Sequence, residues 1–186
     1  MLRDGDLPFM VEEIKYALGQ GAAGVVVGAL LPDGQLDREA LATLREAAQG
    51  RAITLHRAID LTPDLLAAVE QACALGYDKI LSSGGAPTAV EGSAMLARMV
   101  QAARGRLSIM PGSGVAPENV GALLADTGAI EVHASASVAD IAPETAAVRL
   151  GFARAGRRIT DAKSVRRLRA AIDLHQAAFT ARETMR

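Results

Sequence analysis

The chain has 186 residues, 50% of them apolar, with 20 Lys and Arg set against 21 Asp and Glu, a net charge of −1 and a pI near 6.3. This balance excludes a general attraction to nucleic acid or to an anionic membrane, and the length fits one domain, residues 1–186, with a sizeable core. A single cysteine, Cys73, excludes an intrachain disulfide and any Cys-based zinc motif.

Arg3, Asp4, Asp6, Glu12 and Glu13 interrupt any apolar run near the N-terminus, and no stretch reaches the roughly 20 apolar residues of a bilayer span. The expected location is the cytosol. From Gly24 onward one unit recurs five times: a short apolar strand, a polar or Gly-bearing turn, then an amphipathic stretch ending near Gly. The predicted strands are Gly24–Gly28, Ala52–His56, Lys79–Ser83, Leu107–Met110 and Ile130–His133. From Val25 to Ile53, Ile80, Ile109 and Ile130 the steps are 28, 27, 29 and 21 residues, close to one strand plus its crossover helix and loops.

Between the strands the helices carry punctuation. Asp37 precedes a helical stretch from Arg38 to Ala47, with Leu41, Leu44 and Ala48 on one face. Thr62 before Pro63 and Asp64 reads as an N-cap followed by Pro at the first helical position. Cys73 falls in the helix that follows, packing as a small apolar side chain, and Gly76 closes that helix in a left-handed conformation. Thr160 and Asp161 open a last helix in which Val165, Leu168, Ala171 and Ile172 repeat at helical spacing. The run Arg154–Arg169, with seven basic residues in sixteen, reads as a solvated helix face and its preceding loop rather than a polyanion site.

Alternating strands and helices point to a parallel α/β sheet, either doubly wound or a (β/α) barrel. The first strand lacks the G-x-G-x-x-G fingerprint and nothing matches G-x-x-x-x-G-K-[ST]. Instead, polar groups follow successive strands: His56-Arg57-Ala58-Ile59-Asp60, Ser83-Gly84-Gly85, Pro111-Gly112-Ser113-Gly114 and His133-Ala134-Ser135. A site assembled from the ends of several strands is how a barrel builds one. The expected fold is therefore TIM-barrel-like, an incomplete barrel of five βα units.

Several of these segments together resemble the CutC family: Met10-Val11-Glu12-Glu13-Ile14-Lys15, Gly24 to Leu30, Thr54-Leu55-His56-Arg57-Ala58-Ile59-Asp60, Ile80-Leu81-Ser82-Ser83-Gly84, Met110-Pro111-Gly112-Ser113-Gly114 and Glu131-Val132-His133. The likeness runs in order from Met10 to Ile172. It implies a TIM barrel, a cytosolic location, a role in copper homeostasis and, for some members, copper binding. Family members begin with about three further βα units, which fits a barrel of about 250 residues. The cysteines to which their copper binding is ascribed lie in those units, and Ala134 stands where many relatives have Cys. A sheet open at that break exposes apolar surface and unpaired edges, so the chain is expected to be a homo-oligomer.

Two classes of chemistry follow. His56 and His133 are candidate metal ligands at one mouth of the barrel, although copper(I) prefers sulfur and only Met110 is near in sequence; within the strand-end network both also read as hydrogen-bonding residues. His175 reads as a surface residue of the last helix. Arg57 is a candidate clamp for a carboxylate or phosphate, and Asp60 or His56 a candidate base, while Arg57 and Asp60 also suit a mutual ion pair. Ser83, Gly84, Gly112, Ser113, Gly114 and Ser135 are candidate anion contacts in the turns where barrels hold phosphate, or simply tight turns. The two readings are a copper-binding homeostasis protein, and a lyase or isomerase acting on a small anionic or phosphorylated metabolite. Lys79 lies at the start of its strand, which disfavours a Schiff-base mechanism.

Overall fold

In the computed structural model, which describes residues 2–139, 146–152 and 156–184, four of the five apolar runs become the strands of one parallel sheet. These are β1 (Gly24–Val27), β2 (Ala52–Leu55), β3 (Lys79–Ser82) and β4 (Ser108–Pro111), in the order β1-β2-β3-β4. Val25 lies beside Ile53, Leu55 beside Ile80 and Ile80 beside Ile109, so the apolar centres align across the sheet. Helix α1 (Asp6–Gly19) precedes the sheet, and α2 (Arg38–Ala47), α3 (Leu65–Ala74) and α4 (Ser93–Ala103) connect its strands. A short α5 (Val120–Thr127) follows β4. Parallel strands alternating with helices are the TIM-barrel-like α/β architecture expected from the sequence.

Period-two burial shows which face the helices cover. Ile53, Leu55, Ile80 and Ile109 are buried in one cluster with Leu41 and Leu44 of α2, Val69 of α3, and Leu96 and Met99 of α4. Each fully buried side chain of this size contributes about 1.5–3 kcal/mol. Residues between them in the strands, Thr54, Leu81 and Met110, are only half-buried, and Val26 is 62% exposed.

Helix ends follow local chemistry, with one correction. Asp37 accepts a hydrogen bond from the Ala40 N–H at 3.0 Å, as expected for the cap of α2, and Gly76 has φ of 73°, in the left-handed region. Thr62, however, does not cap α3. Asp64 does, accepting from the Leu66 and Ala67 N–H groups at 3.0 Å each. The Thr62 hydroxyl instead donates to the Ile59 carbonyl at 2.8 Å. The preceding residue of an X-Pro pair is held extended, which leaves the short Asp64 side chain next to the free N–H groups.

The fifth predicted strand, Ile130–His133, also differs. It meets the sheet at a single parallel bridge between Gly112 and His133, with the His133 N–H donating to the Pro111 carbonyl at 2.9 Å. Ile130 is 81% exposed, so its apolar alternation has nothing to bury and no ladder propagates.

The described residues group into two compact units, one running to Val115 and including Ala122–His133, the other made of Ala116–Gly121 and the chain from Ala134. In the second, β5 (Ser137–Ala139) pairs antiparallel with β6 (Arg158–Thr160), a one-turn helix α6 spans Ala146–Arg149, and α7 (Ala162–Thr184) is the predicted last helix. Asp161 starts α7 by accepting from the Ser164 N–H at 2.6 Å. The basic run begins at Arg154, outside the described residues. Within it Arg158 bonds Ser137, Arg167 pairs with Glu118 and Arg169 with Asp173, consistent with a solvated face.

Candidate functional site at the strand ends

The carboxyl end of β2 turns at once into a 3-10 turn, Arg57–Leu61. His56 starts it: its backbone N–H donates to the Val27 carbonyl at 2.8 Å, and its ring Nδ1 accepts from the Ala58 N–H at 3.1 Å. The ring lies against Gly28, where a Cβ would come within 2.3 Å of His56 Cε1. Burial lowers the pKa of His56, only partly opposed by its backbone hydrogen bond. The neutral ring, with Nδ1 accepting, carries its proton on Nε2. The ring's one lone pair is thereby taken by Ala58, and Nε2 is left as a donor.

One turn later Asp60 reaches under the loop that follows β3. Its carboxylate accepts from Ser82 Oγ at 2.5 Å, the Ser83 N–H at 3.0 Å, the Gly85 N–H at 3.1 Å and Arg57 Nε at 2.8 Å. Its side chain is 8% exposed. Burial works to raise its pKa, but the hydrogen bonds from Ser82, Ser83, Arg57 and Gly85 outweigh that and hold it below the ordinary value. A carboxylate with four donors has filled its acceptor sites. Here Asp60 anchors a loop, and it has no lone pair free to take a substrate proton.

Ser82 and Ser83 complete the network. Ser82 Oγ, while donating to Asp60, accepts from the Gly84 N–H at 2.8 Å. Ser83 Oγ has one proton, which the 2.5 Å contact to the Ala86 carbonyl takes up, and it accepts from Arg57 Nη2 at 2.6 Å. Gly84 and Gly85 both have φ of 72°, a conformation glycine adopts freely. Arg57 is therefore gripped along one edge by Asp60 and Ser83, with its side chain 42% exposed.

The loop after β4 is tied to the same structure. The Gly112 N–H donates to the Ser82 carbonyl at 2.9 Å, Ser113 Oγ donates to the Pro87 carbonyl at 2.8 Å, and the Ala89 N–H donates to the Ser113 carbonyl at 2.9 Å. Ser113 has φ of 83°, strained for a residue with a Cβ and held there by these bonds. Gly114 lies against Thr88. His133 is exposed beside Gly112. Ser135 belongs to the second unit, where its hydroxyl meets that of Ser137 at 2.9 Å.

The structure thus brings Arg57, Asp60, Ser83 and Gly84 into one network and stitches Gly112 and Ser113 to it. Among the described residues, no group of three or more His, Cys, Asp and Glu side chains is placed to hold a metal ion. Sequence reasoning missed Ser82, whose hydroxyl donates to Asp60, and Gly28, whose missing side chain makes room for His56. The strand register carried the second signal: Val27 pairs with Leu55, which puts Gly28 opposite His56. At the other end of β3, Lys79 pairs with Glu131, away from this network.

Comparison with known proteins places the chain among relatives. The model of the CutC family matches residues 1–138. A CutC family protein of Sinorhizobium medicae is 46% identical over 168 residues, covering 90% of this chain and 69% of the relative. One from Agrobacterium fabrum is 44% identical over 181 residues, covering 93% and 72%. Among solved structures, the copper homeostasis protein CutC of Streptococcus agalactiae matches with a TM-score of 0.69 and 31% identity, over 72% of this chain and 65% of that one.

Proposed function

The chain belongs to the CutC family, and we propose that it serves copper homeostasis in the cytosol. One observation carries this reading: the 46% identity to a CutC family protein extends over 90% of the chain. It is supported by the likeness to the Streptococcus agalactiae CutC structure. An absence of any described helix long and apolar enough to cross a membrane agrees with the proposed location.

The donor set is a separate matter. Copper(I) prefers thiolate and thioether ligands. Cys73 is half-buried on α3, where burial raises its thiol pKa, and among the described residues it joins no group of three or more His, Cys, Asp and Glu side chains. His56 offers no free ring nitrogen while Ala58 holds Nδ1, and His133 stands exposed with no cluster around it. Among the described residues these groups do not fit a copper site.

Two measurements test role and site independently. Deleting the gene in its host should lower copper tolerance, and supplying the intact gene should restore it; unchanged tolerance on deletion overturns the proposed role. Anaerobic Cu(I) titration of the chain against a competing chelator should give no tight one-to-one complex. A one-to-one complex lost in both His56→Ala and His133→Ala would overturn the assessment of the donors.

A further inference from the structure

We propose that Arg57 forms a binding site for a small monocarboxylate at the carboxyl ends of β2 and β3. A guanidinium has five N–H donors in a planar fork. In Arg57 the Nε edge is occupied: Nε donates to Asp60 and Nη2 to Ser83 Oγ. The remaining donors, two on Nη1 and the second on Nη2, have no partner among the described residues. Those on the Nη1 and Nη2 edge form the pair that receives two oxygens of one anion side by side.

The site is built, not merely exposed. Asp60 takes three further donors from Ser82, Ser83 and Gly85, so its position does not depend on Arg57. Ser83 is fixed in turn by Ala86. The guanidinium is therefore held at two points by groups that are themselves anchored, and a ligand meets a fork already oriented. Gly84 and Gly85 leave the adjoining loop without side chains.

Charge selects the ligand class. The network contains one cation and one buried carboxylate, and Lys79, the lysine of β3, lies at the other end of that strand and is paired with Glu131. A second negative charge finds no second cation in this network among the described residues, while the cost of taking the ligand out of water grows with the square of its charge. Two oxygens of either a carboxylate or a phosphate fit the fork, so the charge is what favours a monoanion over a dianionic phosphate.

The test uses acetate and inorganic phosphate as probes on the full chain. With 15N-labelled arginine, the Arg57 side-chain signals should shift saturably as acetate is added. Phosphate at pH 8, where it is a dianion, should need roughly ten times the concentration for the same effect. Arg57→Lys keeps the charge and removes the fork, and should weaken acetate binding by about tenfold or more, read in both proteins from the backbone amide signals of Gly84 and Gly85 under uniform 15N labelling, with circular dichroism confirming the fold. Absence of a saturable acetate shift in the wild-type protein overturns the site without reliance on any variant. Folded Arg57→Lys that binds acetate as well as wild type overturns the assignment to Arg57, and tighter binding of phosphate overturns the ligand class. Each result is independent of copper tolerance, so the two proposals fail separately.

Discussion

Replacing Asp60 with Asn keeps the shape of the side chain and removes what holds three segments together. The carboxylate accepts four hydrogen bonds, from Arg57, Ser82, Ser83 and Gly85. An amide keeps one acceptor oxygen and turns two N–H groups toward donors. Hydrogen bonds to a charged group are worth about 1.5–3 kcal/mol each and an opposed buried donor costs about 1–3 kcal/mol. The losses are not additive, and the Arg57 share is reduced because that side chain is 42% exposed. The expected destabilisation is about 3–5 kcal/mol, as for breaking a buried pair, a large part of the ~5–15 kcal/mol that holds a typical domain. The chain has no Trp, so urea unfolding is best followed by far-ultraviolet circular dichroism. A loss below about 1 kcal/mol would refute the role of Asp60 as anchor. Acid titration gives an independent reading. The folded pKa of Asp60 lies below its ordinary 3.8, so the folded state binds its proton less readily than the unfolded state. The stabilisation is complete above pH 3.8 and is lost as pH falls through the folded value. Asp60→Asn should flatten that part of the acid limb.

Other positions give further tests. Gly92→Ala would set a Cβ 1.9 Å from the Ser83 carbonyl oxygen, a clash with backbone that cannot swing aside, and should prevent cooperative thermal unfolding from a native baseline. Gly28→Ala meets the His56 ring first, at 2.3 Å, so the ring should swing out and release Ala58, at a cost of about 1–3 kcal/mol. In a His56→Ala background that cost should largely vanish; an unchanged cost in the double-mutant cycle would refute the contact. Asp64→Ala should lower stability by about 1 kcal/mol through loss of the α3 cap, whereas Thr62→Ala should not shorten α3 as judged by amide exchange of Leu66 and Ala67.

Much of the fold was legible because it rests on local pattern. Val25, Ile53, Ile80 and Ile109 sit at the centres of apolar runs spaced by one βα unit, and each lies in an observed strand. Asp37 and Gly76 were readable because a helix end needs a side-chain acceptor or a left-handed residue within a few positions. The fifth strand was not, because alternation in Ile130–His133 reports a tendency to bury one face and says nothing of whether a neighbour is there to cover it. At the site, Arg57 and Asp60 stood out as a charged pair three residues apart. They do pair with each other, but their further partners, Ser82 and Ser83, lie 22 and 23 residues beyond Asp60, and only the β2–β3 register brings them together. Lys79 and Glu131, 52 residues apart, were invisible for the same reason.

The two faces of the sheet make opposite demands on side chains that are neighbours in sequence and register. Ile53 is fully buried against the helices, while Val26, one position further along the adjacent strand β1, is 62% exposed. Parallel strands usually have both faces covered, and β1 ends the strand order with β2 as its sole sheet neighbour among the described residues. Ile53→Ala should therefore cost about 2–5 kcal/mol, the transfer and cavity terms of a packed site. Val26→Thr, nearly equal in volume, should change stability by no more than about 0.5 kcal/mol. An exposed apolar face also promotes association between copies, so wild-type sedimentation should depend on concentration and Val26→Thr should weaken that dependence. Concentration-independent sedimentation of the wild type would refute the association, and a loss above about 1 kcal/mol in Val26→Thr would show that something does cover this face.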